Sequence, residues 1–336
     1  MTRNTNTAVP AGVSSPAPRS ATVGGDTVGS RPAGPAKRRA RRPQALPYLL
    51  LAPAVLAILA LLGWPVISVA ITSFRKLDLG ELVRGEVTWV GLDNYREVLT
   101  DSDFWSITLR TVVFTGCCVA GIVLGGLVVS LLMRHVPPAV RVVLQLSMVL
   151  AWAMPIVAAT TVFQWIFDQN YGILNKTLVK FGFDSFAGHA WFTTGFSTMT
   201  VIVVLIAWQG IPFAAFTLYA GMLSVPGDLY EAAGIDGANP WQTFRAVTWP
   251  AIRPLVTLTS FLSLLWDFKV FTQVWAMKEG GPNGESTTLP VLQYLKGIAG
   301  NHFGVAAAVS VLMIIVLVLV TAQYLRLLLR SQEVEL

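Results

Sequence analysis

After its first 45 positions, this 336-residue chain alternates long apolar runs with short polar segments. Six such runs lie at about 46–74, 111–133, 142–167, 196–223, 255–277 and 303–325. Each reaches the roughly 20 residues that a helix needs to cross a bilayer core. Five carry no charged residue; the fifth run is interrupted by Asp267 and Lys269. The pattern predicts an all-α polytopic membrane protein with six transmembrane helices. It also sets three regions: a basic tail over 1–45, a first span with an external amphipathic segment over 46–105, and a membrane core over 106–330.

The polar stretch 224–254 between the fourth and fifth runs reads as a helical hairpin. Asp228 stands as cap of a first short helix, and Glu231 three residues later completes a capping box. Gly234 and Gly237 offer low-cost turn positions. Asn239 caps a second helix, Pro240 takes its first position and Gln242 its third. Pro250 and Pro254 are expected to close the hairpin before the next span.

That stretch resembles the EAA loop of the membrane subunits of bacterial ABC importers, whose pattern is Glu-Ala-Ala, three residues, Gly, nine residues, then Ile-x-Leu-Pro. Glu231, Ala232, Ala233 and Gly237 stand at the matching positions, followed by Val247, Trp249 and Pro250. Val for Ile and Trp for Leu are departures that keep the apolar character. The resemblance implies a type I importer permease fold in which 224–254 is a cytoplasmic coupling hairpin. Its Glu231, Ala232, Ala233, Gly234, Asp236, Gly237 and Pro250 would meet a separate ATPase subunit.

Composition agrees with the membrane reading. Hydrophobic residues make up 54% of the chain and charged ones 12%, against about 25% charged in soluble domains. Lys37, Arg38, Arg39, Arg41 and Arg42 precede the first run, and Arg134, Arg141, Arg326 and Arg330 border later ones. Positive charge marks the cytoplasmic side, so both termini and the hairpin are expected in the cytoplasm. The acid-rich segment 78–103 then falls outside, against the local pull of Arg75 and Lys76. The net charge of +6 calls for no nucleic acid, because basic residues beside a span attract anionic lipid headgroups. The first 30 residues, rich in Ala, Pro, Ser, Thr and Gly, read as disordered. The first apolar run is too long for a cleaved signal peptide. Cys117 and Cys118 are adjacent, which no usual disulfide joins, and read as packing residues.

Further segments resemble the carbohydrate-uptake branch of the same family. Asn94-Tyr95 and Phe104-Trp105 lie in 90–111, which reads as an amphipathic external helix with Tyr95, Val98 and Leu99 on one face and Trp105 at headgroup level. The third run ends in a Trp165, Gly172 and Asn175 arrangement, and Gly280-Gly281-Pro282 with Thr287-Thr288 forms a GGP-x-x-x-x-T turn before the sixth. Gly121, Gly125 and Gly126 give a GxxxG spacing that permits close helix contact, with no indication of which helix they meet.

Enzyme chemistry is missing from the sequence. There is no G-x-x-x-x-G-K-[ST] phosphate loop, no H-E-x-x-H and no paired cysteine spacing, and the three histidines, His135, His189 and His302, sit outside or at the edges of the runs. No cofactor or metal is expected. Candidate pathway residues are the polar and aromatic groups within spans: Trp208, Gln209, Trp266, Lys269 and Gln273. Trp266, Lys269 and Gln273 fall at i, i+3 and i+7, one side of a continuous helix. Packing alone accounts for any single Trp. Asp267 and Lys269 point apart, so each needs its own partner, and Asp267 is the candidate for an ion pair between subunits.

By resemblance, the chain is expected to be a non-catalytic permease subunit in a bacterial cytoplasmic membrane, forming half of the path for a sugar or oligosaccharide. Its partners would be a second homologous permease, an ATPase dimer and an extracytoplasmic sugar-binding protein. Glycerol 3-phosphate or its diesters are the alternative cargo, and an ion-coupled secondary transporter is the alternative class.

Overall fold

The computed structural model describes the backbone of residues 45–333, with side chains over 49–326. The tail read over 1–45 lies outside the described residues except for its last position. The chain divides into a unit over 1–56 and one over 57–336. The first holds most of helix α1 (Ala45–Ile58). The second begins with a π-helical turn and α2 (Trp64–Thr72). A two-residue strand β1 (Arg75–Lys76), a short helix α3 (Leu79–Arg84), strand β2 (Thr88–Trp89) and α4 (Asp93–Thr100) follow. Five helices come next: α5 (Ser102–His135), α6 (Pro138–Ala153), α7 (Ile156–Ile166), α8 (Ile173–Lys180) and α9 (Gly195–Leu223). The hairpin holds α10 (Gly227–Ile235) and α11 (Pro240–Thr243). Helices α12 (Trp249–Asp267), α13 (Thr272–Lys278), α14 (Leu289–Tyr294) and α15 (Phe303–Glu333) complete the chain.

Four helical runs, Leu49–Thr72, Ser102–His135, Gly195–Leu223 and Phe303–Arg326, are long and apolar enough to cross a membrane, and two bent helix pairs raise this to six if each pair is one span. The third and fifth apolar runs are therefore not single rods. Helices α6 and α7 meet at 105°, because Pro155 excludes the helical region for the residue before it. Met154 accordingly takes φ −66° and ψ 129°. The α11–α12 rod and α13 meet at 50°, at the segment that carries Lys269. Large apolar side chains face outward on the long helices, as in Leu124 (62% exposed) and Leu150 (73%), the arrangement of a protein whose solvent is hydrocarbon.

The centre of the fold is the α5–α9 contact. A Cβ on Gly126 would lie 2.5 Å from the Ala214 Cβ, and one on Gly121 3.1 Å from that of Ala207. The glycines spaced for close contact thus meet α9, and small residues let two backbones approach where dispersion is the main attraction. Cys118, Ile122, Val201, Ile202 and Leu205 fill the adjoining core.

The segment between α2 and α5 is tied down by polar side chains. Asn94 Nδ2 donates to the carbonyls of Ser73 (2.8 Å) and Arg75 (2.9 Å). The Tyr95 and Ser73 hydroxyls are 2.6 Å apart. Val98 is buried and Leu99 exposed, so only part of the face expected over 90–111 packs inward. Trp105 is 56% exposed and donates to the Leu99 carbonyl.

Candidate functional site

The hairpin differs from expectation at its start. Helix α10 begins at Gly227 with Pro226 as its cap, and no side chain caps it. Asp228 falls inside the first turn, so the predicted Asp228–Glu231 capping box does not form. Both carboxylates are instead exposed on the surface. Asp228 remains near the positive end of the helix dipole. Gly234 is likewise an ordinary helical residue of α10, where a turn had been expected.

Its middle behaves as read. Gly237 has φ +72°, the Ala238 N–H donates to the Ala233 carbonyl at 2.9 Å, and the Gly237 N–H to the Gly234 carbonyl at 3.1 Å. This pair of bonds is a Schellman stop, which demands a left-handed residue and so a glycine. Asn239 and Gln242 form a reciprocal capping box, with bonds of 2.8 and 2.9 Å.

Pro250 does not end the hairpin. The helical path runs from α11 through a π-helical turn, Phe244–Thr248, into α12, and both Pro250 and Pro254 lie within it. The wider turn eases the clash of the Pro250 ring with the carbonyl four residues back. One rigid rod therefore joins the hairpin to the membrane.

Glu231, Ala232, Gly234, Asp236, Gly237 and Pro250 are all exposed, and Ala233 is partly so. Three large apolar residues stand beside them in the open: Leu229 (52% exposed), Ile235 (87%) and Trp241 (67%). Beneath this surface sits a contact that sequence reasoning missed. Arg134 Nη1, in the last turn of α5, donates to the Tyr230 hydroxyl at 2.6 Å, and the guanidinium carbon is 4.2 Å from the Tyr230 ring centroid. The same hydroxyl lies 3.2 Å from Thr248 Oγ1, and Thr248 is buried. Tyr230 thus links three elements at one atom. The only sequence signal was an aromatic residue beside Glu231.

In the fifth run, the break between α12 and α13 overturns the reading of one shared helix face. Trp266 lies in the last turn of α12, Lys269 in the turn and Gln273 in α13. Trp266 packs edge-on to Phe213, centroids 5.3 Å apart. Trp208 packs against Phe163 at 5.5 Å as part of the core, and Gln209 is half-buried near it. Asp267 is 6% exposed, and its Oδ2 has no hydrogen-bond partner among the described residues. Lys269 is exposed and opens into a cavity of about 620 Å³ that also exposes Ser68, Thr72, Gln293 and Tyr294. Tyr294, Phe271 and Trp275 form an aromatic group next to Lys269, with Trp275 and Tyr294 centroids 4.6 Å apart. Helix α13 is held by Gln164, whose Nε2 donates to the carbonyls of Ala276 and Met277, both at 2.9 Å. A polar residue inside the third run was the available signal for that tie. Among the described residues, this site holds donors, acceptors and aromatic faces.

The loops at 168–191 and 280–288 explain the other motifs. The Asp168 carboxylate accepts the N–H groups of Asn170 (2.8 Å) and Tyr171 (2.7 Å), and these bonds hold its pKa below the ordinary value. A Cβ on Gly172 would collide with the backbone of Asp168 and Ile166. Asn175 accepts from Trp191 Nε1 and donates to the His189 carbonyl, both at 2.8 Å. The GGP turn is pinned where Arg110 Nη1 donates to the carbonyls of Gly284 (2.8 Å) and Thr287 (3.1 Å).

The chain is similar to the diacetylchitobiose uptake system permease protein DasB of Streptomyces coelicolor, 45% identical over 315 residues that cover 93% of this chain and 94% of that one. It is also similar to the sulfoquinovosyl glycerol transport system permease protein SmoG of Agrobacterium fabrum, at 31% identity over 84% of this chain and 89% of that one. In fold it resembles the crystal structure of a bacterial ABC transporter involved in the import of the acidic polysaccharide alginate, with a TM-score of 0.70 at 20% identity over 84% of this chain and 95% of that one. The profile of the binding-protein-dependent transport system inner membrane component matches residues 118–332. That region holds the Tyr230 contact, the hairpin and the broken fifth span, and the chain accordingly belongs to the family of binding-protein-dependent transport system inner membrane components.

Proposed function

We propose that this chain is the permease subunit of an ATP-driven importer that carries a sugar or oligosaccharide, with residues 106–330 as its core and six spans in all. The observation that carries the coupling part is the surface at 224–254, where exposed carboxylates and the open side chains of Leu229, Ile235 and Trp241 stand on a rod continuous with α12. An exposed apolar cluster with a charged rim is the form of a protein-binding surface. The partner there is an ATPase subunit, which makes this the cytoplasmic side and places both termini with it. ATP-driven closure of an ATPase dimer moves the hairpin, and Tyr230 and the rod pass that motion to α5 and α12.

Sugar as cargo is supported by relatives whose transported compounds are glycosides and by the mix of Lys269, Gln293 and Tyr294 around one cavity. Hydroxyls take hydrogen bonds from such groups, and sugar rings lie on aromatic faces. The second wall of the path comes from a homologous permease, and an extracytoplasmic binding protein delivers the cargo.

Uptake of radiolabelled diacetylchitobiose, an arabino-oligosaccharide and maltose, compared in cells with and without this chain, tests the cargo class. Loss of one of these uptakes, restored by the intact chain, is expected. Unchanged uptake of all of them, or a chain that purifies with neither an ATPase nor a second permease, overturns the reading.

A further inference from the structure

A second cavity, of about 460 Å³, runs as a groove between α5 and α9 on the outer face of the molecule. Its walls are Val113, Phe114 and Cys117 on α5, and Phe196, Met199, Thr200, Val203 and Val204 on α9. Both helices run the same way from this end, so the groove follows them for about 10 Å, seven residues at 1.5 Å each. At one end it changes character, because Arg110 and Glu285 border it there. Arg110 is also the last charge before the charge-free run 111–133, which puts it at the boundary between hydrocarbon and headgroups.

Among the described residues, neither Arg110 nor Glu285 fills all of its hydrogen-bonding positions. Arg110 spends Nη1 on the carbonyls of Gly284 and Thr287, and a guanidinium has three further N–H groups. Glu285 takes the Gly195 N–H on Oε2 at 2.7 Å, and a carboxylate offers about four acceptor positions. A cation and an anion at the mouth of an apolar trough match a molecule with one phosphate, one ammonium and an acyl chain. We propose that this groove binds a phospholipid with a primary-ammonium headgroup, phosphatidylethanolamine in kind. The phosphate lies on Arg110, the ammonium on Glu285, and an acyl chain along Val113, Cys117, Val203 and Val204. The bound lipid fills the space between α5 and α9 and braces the GGP turn that Arg110 pins. The choline headgroup cannot donate a hydrogen bond to Glu285, and a glycerol headgroup leaves that carboxylate without a cation.

The test uses the full-length chain, purified with its co-purifying subunits and stripped of lipid in detergent. Palmitoyl-oleoyl phosphatidylethanolamine, phosphatidylcholine and phosphatidylglycerol are added in equal amounts, and retained lipid is counted by native mass spectrometry. Phosphatidylethanolamine is expected to be retained about tenfold over the other two, as charge-assisted bonds on both headgroup charges require. Val204→Trp, which fills the groove and leaves the Arg110 ties in place, abolishes that excess. Glu285→Gln removes the preference for ethanolamine over choline while a lipid still binds. Cys117, exposed in the groove, reacts with N-phenylmaleimide in the stripped protein and is protected by phosphatidylethanolamine. Equal retention of the three lipids overturns the proposal, as does an ethanolamine preference that survives Val204→Trp. So does a Cys117 already inert before lipid is added, which would show that a second permease covers the groove.

Discussion

Arg134 and Tyr230 are 96 residues apart in sequence, yet the guanidinium donates to the phenol at 2.6 Å. One of these residues ends a membrane helix and the other lies in the hairpin, so the bond crosses from span to hairpin at its base. A hydrogen bond to a charged group is worth about 1.5–3 kcal/mol, enough to keep the two elements together while the hairpin is pushed or pulled.

Tyr230→Phe keeps the ring against Arg134 and removes the shared hydroxyl. The complex is expected to assemble normally, while binding-protein-stimulated ATP hydrolysis in proteoliposomes falls about tenfold, the equivalent of about 1.4 kcal/mol. Arg134→Ala should lower stimulation at least as far. Full stimulation in both variants would mean that the hairpin drives the membrane through the α12 rod alone.

Gly237 holds a left-handed backbone that costs about 1–2 kcal/mol for a residue with a Cβ. Gly237→Val should insert in the membrane and lose both transport and stimulated hydrolysis, whereas Gly237→Asn, a residue that tolerates this conformation, keeps most of both. Equal activity of the two variants would remove the Schellman stop from the mechanism.

Among the described residues Asp267 Oδ2 has no hydrogen-bond partner, which fits a group paired across a subunit boundary. Asp267→Ala should reduce the yield of assembled complex in a pull-down, because the partner cation is left unpaired in a low-dielectric setting. Gln293→Ala, on the cavity beside Lys269, should lower uptake or alter sugar preference with assembly unchanged. Loss of assembly in both, or unaltered transport in Gln293→Ala, would place the path elsewhere in the fold.

Orientation is open to a direct labelling experiment. A cysteine at Gln242 should be shielded from a membrane-impermeant maleimide in intact cells, and one at Asp184, exposed in the loop between α8 and α9, should react. The opposite pattern would put the hairpin outside and rule out its contact with an ATPase.

The Asp168 loop makes a pH prediction. Its folded pKa is depressed by the N–H groups of Tyr171 and Asn170, so its contribution is present above the unfolded value of about 3.9 and is lost as pH falls through the folded one. Hydrogen exchange at Asn170 and Tyr171 should stay slow from neutral pH down to about 5, relative to the intrinsic rate, and Asp168→Asn should speed it at neutral pH. Exchange equally fast in the wild type would show that the carboxylate does not order the loop.

The sequence by itself determined what depends on near neighbours. Apolar runs of span length, the Gly237 stop and the Asn239–Gln242 box are all properties of contiguous segments, whose energetics are set within one or two helical turns. Even there, Asp228 misled, since an acid near a helix start serves equally as a cap or as a first-turn residue, and Pro226 took the cap. Only the tertiary structure decided where the fifth run bends, which helix Gly121 and Gly126 press against, and that Trp266, Lys269 and Gln273 do not share a face. It alone joined Arg134 to Tyr230, and Arg110 and Glu285 to one groove. In a membrane protein nearly every span is apolar all round, so periodicity says little about which face meets which neighbour. Small-residue contacts and a few long-range polar bonds make that choice, and they form only when distant segments pack.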